Sequence, residues 1–378
     1  MSLRLSDFDY TLPRDLVAQT PARPRDSARL LVLHRGTGVV EHRVFRDLGA
    51  YLGPPDVLVL NDTRVLPVRL RGRRSGSGGR LEAAGGPAPD GAPGGAGGPA
   101  PDGGGEVEVL LLRPVAGPSP APAGAGDTWE ALVRPGRRLR PGTRLAFGDG
   151  AIEVTVGPPA ERGVRLVTVR CAGDLRAALE RVGEMPVPPY IERPLDDPND
   201  YQTVYAERPG AIAAPTAGLH LTPALLDAIR GQGVRVVFVT LHVGLGTFRG
   251  VEVEDVTRHR MDAESYEVSD ETAAVINGAR AQRGRVVAVG TTVVRTLETV
   301  ATDEGTVTAG SGPTELFITP GFRFRVTDAL VTNFHLPRTT LLMLVSAFAG
   351  RERILAAYAE AIRLRYRFYS FGDAMLIL

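Results

Sequence analysis

Two apolar, β-branched runs, Val234–Val243 (VRVVFVTLHV) and Arg285–Gly290 (RVVAVG), are almost unbroken by polar residues. A strand with one face in water alternates apolar with polar residues, so runs of this kind need cover on both faces. Helical patterns at 222–231, 270–283, 291–301, 339–349 and 351–367 can supply it. Strands alternating with such helices predict an α/β layer packed around its own core. A different rhythm occupies the middle of the chain, where short β-type runs at 66–71, 106–113, 129–134, 143–147, 151–156 and 164–170 are set apart by Pro and Gly. That spacing predicts a small β-barrel or sandwich. The expected fold is therefore mixed α/β. A discontinuous core domain, residues 1–67 and 171–378, carries an inserted β-barrel-like domain, residues 68–170.

Two stretches resist any packed reading. From Ala83 to Gly105 every residue is Gly, Pro, Ala or Asp, and GGPAPDG occurs twice, at 85–91 and 97–103. Such composition cannot bury enough apolar surface to offset the entropy of ordering it. Disordered surface loops are expected over 75–105 and, more briefly, 115–126.

Composition removes several enzyme classes. All 44 basic residues are Arg, so Schiff-base lysines, the P-loop lysine and the kinase strand lysine are absent. Cys171 is the single cysteine, which excludes structural disulfides, cysteine-rich zinc sites and cysteine-bound iron–sulfur clusters. His220, His242, His259 and His335 fall in the α/β part without the paired i,i+4 spacing of a helical metal site, and no metal is expected. The N-terminus has no signal-like apolar stretch, and the run 341–349 is too short to span a bilayer. The expectation is a cytoplasmic, monomeric protein with no membrane partner.

Three motifs sit where α/β sheets gather ligands. Val289-Gly290-Thr291-Thr292 runs from a strand into a helix, whose exposed N–H groups and Thr hydroxyls suit an anion or polar ligand. Arg295 and Glu298 share a face of that helix; an ordinary capped turn with a surface ion pair explains the same residues. His242 ends a buried strand inside LHVGLGT, a GxG that lacks the third Gly of a dinucleotide fingerprint. In AAPTAGLHLT, 213–222, Thr222 and Pro223 are helix-start residues, while His220 has no such account. Charge is uneven: six Arg and no acid lie between Arg64 and Arg80, and five Arg and no acid between Arg134 and Arg144. Both phosphate-backbone binding and simple solvation fit such patches.

Longer segments carry a resemblance. DFDYTLPRDLVAQTPARPRDSARLLVL (7–33), DVLVLNDTRVLPVRL (56–70), GEMPVPPYIERP (183–194), DYQTVYAERPGAIAAPTAGLHLT (200–222), FVTLHVGLGTF (238–248), VVAVGTTVVRTLE (286–298), LVTNFHLPRTTLLMLVSAFAG (330–350) and YRFYSFGDAMLI (366–377) resemble the S-adenosylmethionine:tRNA ribosyltransferase-isomerases of queuosine biosynthesis. Asp262 stands where the family pattern has His, and no role is assigned there. The resemblance implies transfer of the ribosyl unit of S-adenosylmethionine to 7-aminomethyl-7-deazaguanine at the tRNA wobble position. The sugar rearranges to give epoxyqueuosine, and adenine and methionine leave. The sulfonium donor is then a co-substrate, and no cofactor is implied.

That chemistry needs a base for the carbon beside the sulfonium, an acid for departing adenine, and a cation for the methionine carboxylate. By residue type His220 and His242 suit proton transfer. Arg295 suits the carboxylate, with Gly290, Thr291, Thr292 and Glu298 around the donor. Asp373 suits the substrate amine or ribose hydroxyls. Two other classes compete: an S-adenosylmethionine-dependent RNA methyltransferase, which would release S-adenosylhomocysteine, and a non-catalytic RNA-binding protein.

Overall fold

The computed structural model describes residues 3–74, 106–115, 126–136, 138–244, 246 and 250–378. Apart from Val115 and Gly126, the stretch 115–126 lies outside the described residues, as does all of 75–105. The chain divides into two compact units, Met1–Leu66 with Val187–Leu378, and Pro67–Pro186.

The first unit opens with β1 (Arg29–Leu33), β2 (Val40–Val44), β3 (Val57–Asn61) and the short β4 (Thr63–Val65). The second unit holds β5 (Arg69–Arg74), β6 (Glu106–Pro114), β7 (Asp127–Arg134), β8 (Arg144–Phe147), β9 (Ile152–Pro159), β10 (Arg165–Cys171) and α1 (Leu175–Val182). The chain then returns to the first unit through β11 (Arg208–Ala211), α2 (Pro223–Gly231), β12 (Arg235–Leu241), β13 (Glu264–Val268) and α3 (Asp270–Ala281). It ends with β14 (Val286–Val289), α4 (Thr291–Val300), β15 (Gly310–Thr314), β16 (Ala329–Asn333), α5 (Thr340–Ala349), α6 (Arg351–Arg363) and β17 (Ala374–Ile377).

In the first unit nine strands form one sheet in the order β15-β13-β12-β3-β14-β16-β17-β1-β2. Its centre, β12-β3-β14-β16, is parallel. Successive residues of a central strand go to opposite faces: Val57 and Val59 join one apolar cluster, Leu58 and Leu60 the other. Val286 and Ala288 separate from Val287 and Val289 in the same way. Both faces are buried, which is why these strands read as unbroken apolar runs. The helices start where the sequence supplies caps: Thr222 accepts from Leu225 N at 3.2 Å, Ser269 from Thr272 N at 3.1 Å and Thr339 from Leu342 N at 3.3 Å.

In the second unit the strands close into a barrel, β10-β7-β6-β5-β8-β9. Its boundary differs from the expected 170/171. Asp174 caps α1 by accepting from Ala177 N at 3.0 Å, and the helix packs on β9 and β10 of the barrel. Glu184 then exchanges main-chain hydrogen bonds with Arg69 at 2.8 and 3.2 Å. The segment after 170 therefore belongs with the barrel unit up to Pro186. Gly183 is required at that point, since a Cβ there would lie 1.8 Å from the Pro67 carbonyl oxygen.

Candidate active site at the strand ends

The carboxyl ends of β3, β12, β14 and β16 lie along one edge of the sheet, as their parallel pairing dictates, and the polar residues just there are candidates for ligand contact. Asn61 ends β3 and is fully buried. Its carboxamide accepts from Leu241 N at 3.1 Å and Thr63 N at 3.1 Å, and donates to Leu241 O at 3.0 Å and Thr292 Oγ1 at 3.3 Å. One side chain thus braces the ends of two strands and the first turn of α4.

His242 follows β12 directly. Its Nδ1 meets Thr63 Oγ1 at 2.8 Å, and among the described residues Nε2 has no hydrogen bond. The parallel pair β4–β11 carries Gly210 onto the ring: a Cβ at 210 would stand 2.8 Å from Nδ1 and Cε1. Burial lowers the His242 pKa, with Glu267 acting weakly the other way. The ring is therefore neutral at neutral pH, with one nitrogen anchored and one available to take a proton. Nearby Asp62 is buried, accepts from Thr240 Oγ1 at 2.6 Å, and has its pKa raised by burial.

At the end of β14, Gly290 takes φ +98°, a conformation that strains any side chain. No side chain caps α4, so its first N–H groups face the strand-end region beside Thr291, which is buried, and Thr292. Asn333 closes β16. Its Oδ1 accepts from Thr216 Oγ1 at 2.9 Å, while its buried Nδ2 has no partner among the described residues.

His220 occupies the covering loop between β11 and α2. Its ring stacks on Phe45 with centroids 4.8 Å apart, Nε2 faces Gly372 O at 2.9 Å, and Nδ1 faces Ala217 O at 3.2 Å. Burial lowers its pKa, and a neutral ring carries a single N–H, which the shorter contact places on Nε2. Both nitrogens are turned to main-chain carbonyls. Asp373 lies next to this contact and is also fully engaged. Its carboxylate accepts from Arg29 N at 2.9 Å, Arg29 Nε at 3.2 Å and Arg367 N at 2.8 Å.

Arg295 and Glu298 do not pair with each other. The buried Arg295 guanidinium forms an ion pair with Glu264 and donates to Leu316 O at 3.1 Å and Thr314 O at 3.3 Å. Glu264 in turn accepts from Gly244 N at 2.8 Å, which fixes the chain just past His242. Glu298 points to another segment: it accepts from Arg325 N, Val326 N, Thr327 N and Thr327 Oγ1 at 2.8–3.2 Å. The structure thus brings His242, Gly290, Thr291 and Thr292 together at the strand ends. It commits Arg295, Asp373 and Glu298 to internal partners.

A family model described as queuosine biosynthesis protein matches residues 5–86 and 96–377. The chain belongs to that family. Relatives from Symbiobacterium thermophilum and Moorella thermoacetica, each named S-adenosylmethionine:tRNA ribosyltransferase-isomerase, are 53% identical over 376 and 377 residues, spanning 100% of both chains in each case. A crystal structure of an S-adenosylmethionine tRNA ribosyltransferase from Thermotoga maritima is 36% identical, with a TM-score of 0.51, covering 98% of this chain and 100% of that one. The chain is thus an enzyme of a transferase-isomerase family.

In this family member, sequence reasoning missed Asn61, Thr63, Glu264 and Asn333. Asn61 and Asn333 had a usable signal, since each is the polar residue that ends a fully buried strand. Glu264 had none, because its partner lies 31 positions away. Among the described residues no group of three or more His, Cys, Asp or Glu is placed to hold a metal ion, and no helix is long and apolar enough to cross a membrane.

Proposed function

We propose that this enzyme transfers and isomerises the ribosyl moiety of S-adenosylmethionine onto 7-aminomethyl-7-deazaguanine at the wobble position of tRNA, giving epoxyqueuosine-tRNA with release of adenine and methionine. The observation that carries the reading is full-length identity of 53% to relatives bearing that enzyme name. The strand-end chemistry supports it. His242, neutral and with Nε2 open, is the proton-transfer group for the acidified carbon beside the sulfonium. The first turn of α4, Gly290-Thr291-Thr292, and the orphan amide of Asn333 donate to polar groups of the sulfonium donor.

His220, Arg295, Asp373 and Glu298 act as positioning residues, because their polar atoms are already taken by the protein. The donor is a co-substrate, no resident cofactor or metal takes part, and the enzyme works as a monomer in the cytoplasm. Incubating the purified protein with labelled S-adenosylmethionine and an anticodon stem-loop bearing the aminomethyl base tests this. Free adenine, free methionine and a heavier nucleoside are expected. Formation of S-adenosylhomocysteine instead would establish methyl transfer and overturn the proposal.

A further inference from the structure

The barrel's register collects arginines from separate stretches of sequence onto one of its two ends. The pairs Arg73↔Glu106, Glu108↔Arg134, Arg165↔Pro159 and Arg144↔Thr155 place the ends of β5, β7 and β9 together with the starts of β6, β8 and β10. Arg134 ends β7 and Arg144 begins β8, and both are exposed. The loop between them adds Arg138 and Arg140, and the β9–β10 loop adds Arg162, all exposed. Positions 73 and 74, also Arg, end β5 on the same rim.

The described residues around Arg138 and Arg140 make internal contacts. Leu139 between them is buried at 3% exposure. Arg165 donates to Gly136 O at 2.7 Å, Gly142 N to Val156 O at 2.7 Å, and Val156 N to Thr143 O at 2.9 Å.

The opposite end differs in charge. Asp127, Asp149, Glu153, Asp174 and Glu180 lie there beside Arg170 and Arg181, and two further arginines are paired, Arg113 to Glu130 at 2.8 Å and Arg176 to Glu180 at 3.4 Å. Solvation alone would not segregate charge between two ends of one small barrel. Exposed Glu106 and Glu161 share the rim, but its arginines outnumber them, leaving an excess of planar, always-charged guanidinium groups, the chemistry that recognises a phosphate backbone.

We propose that this basic rim binds the sugar-phosphate backbone of the RNA substrate, independently of base sequence; the choice of RNA as the anion rests on the function proposed above. The test is binding of an unmodified tRNA transcript to the full-length protein across a salt series, with no sulfonium donor present. For the double variant R138A/R140A, affinity at moderate salt should fall by about tenfold or more, and the slope of log K against log salt should shrink by about one to two. R138K/R140K should recover most of the affinity, since a point charge suffices for phosphate. R113A/R176A at the other end should bind like the wild type. An unchanged slope in R138A/R140A, an equal loss in R113A/R176A, or no RNA binding by the wild type overturns the proposal. The turnover assay separates the two readings. Normal nucleoside formation with an unchanged slope removes the rim and keeps the reaction. A rim-dependent slope without adenine release keeps the rim and removes the reaction.

Discussion

The strand ends of the α/β unit and the basic rim of the barrel hold their polar groups in opposite ways. At the strand ends nearly every polar side chain is bound to another part of the protein: Asn61 makes four contacts, Glu264 joins Arg295 to Gly244, and Asp373 joins Arg29 to Arg367. On the rim Arg138 and Arg140 are exposed on either side of the buried Leu139. Internal partners fix positions at the cost of availability, which suits a reaction needing one or two well-aimed atoms. Exposed charges suit long-range attraction, where geometry matters less than sign. Damage to the first region should therefore appear in stability and turnover, and damage to the second in salt-dependent affinity.

The largest expected effect is at the buried pair. Glu264→Ala leaves the Arg295 guanidinium buried without its carboxylate and should lower unfolding free energy by about 3–5 kcal/mol, read by urea denaturation. A loss as small as that of a surface ion pair would show that the strand ends do not depend on internal matching. Next comes His242→Ala, expected to cut kcat by about a hundredfold while leaving the salt slope of RNA binding untouched. Near-normal kcat would take His242 out of the reaction and blur the contrast between the two regions.

How much of this was legible in the sequence follows from the range of each interaction. The barrel strands could be read because alternation and turn residues are local, and β6, β7 and β8 lie within two residues of the expected runs. The α/β character was legible from unbroken apolar runs. Helix α1 was not, since eight residues behind a strand give too short a period to separate from a turn. β11 was hidden by its own residues: RPGA looks like a loop, yet it carries the glycine that rests on His242. In the site, His242 and Gly290 stood out by position at strand ends. The spacing of Arg295 and Glu298 pointed to a pair, but each is claimed by a segment remote in sequence, and no periodicity encodes that.

Acid should sharpen the comparison further. His335 is buried, meets Thr332 Oγ1 at 2.8 Å, and has its pKa pushed down to about 3 by burial. Unfolding restores a value of about 6.5, so the unfolded chain binds a proton that the folded chain refuses. The stabilisation is complete above that value and is lost as pH falls from there toward 3. Between pH 6 and 4, His335→Gln should reduce the pH slope of unfolding free energy by up to about 1.4 kcal/mol per pH unit. An unaltered slope would mean that His335 is not held neutral. The smallest effect is reserved for Gly290→Ala, where a side chain at φ +98° should cost about 1–2 kcal/mol and raise the KM for the sulfonium donor. No change in either would show that the first turn of α4 need not keep its present path.

The ladder between Arg69 and Glu184 has one more consequence. Where the polypeptide enters the barrel and where it leaves are zipped side by side, so the whole excursion has the topology of a cassette. A short bridge between the flanking segments could replace it without rethreading any strand of the nine-stranded sheet. The basic rim and the strand-end residues would then be separable by splicing, each open to exchange or redesign while the other is left alone.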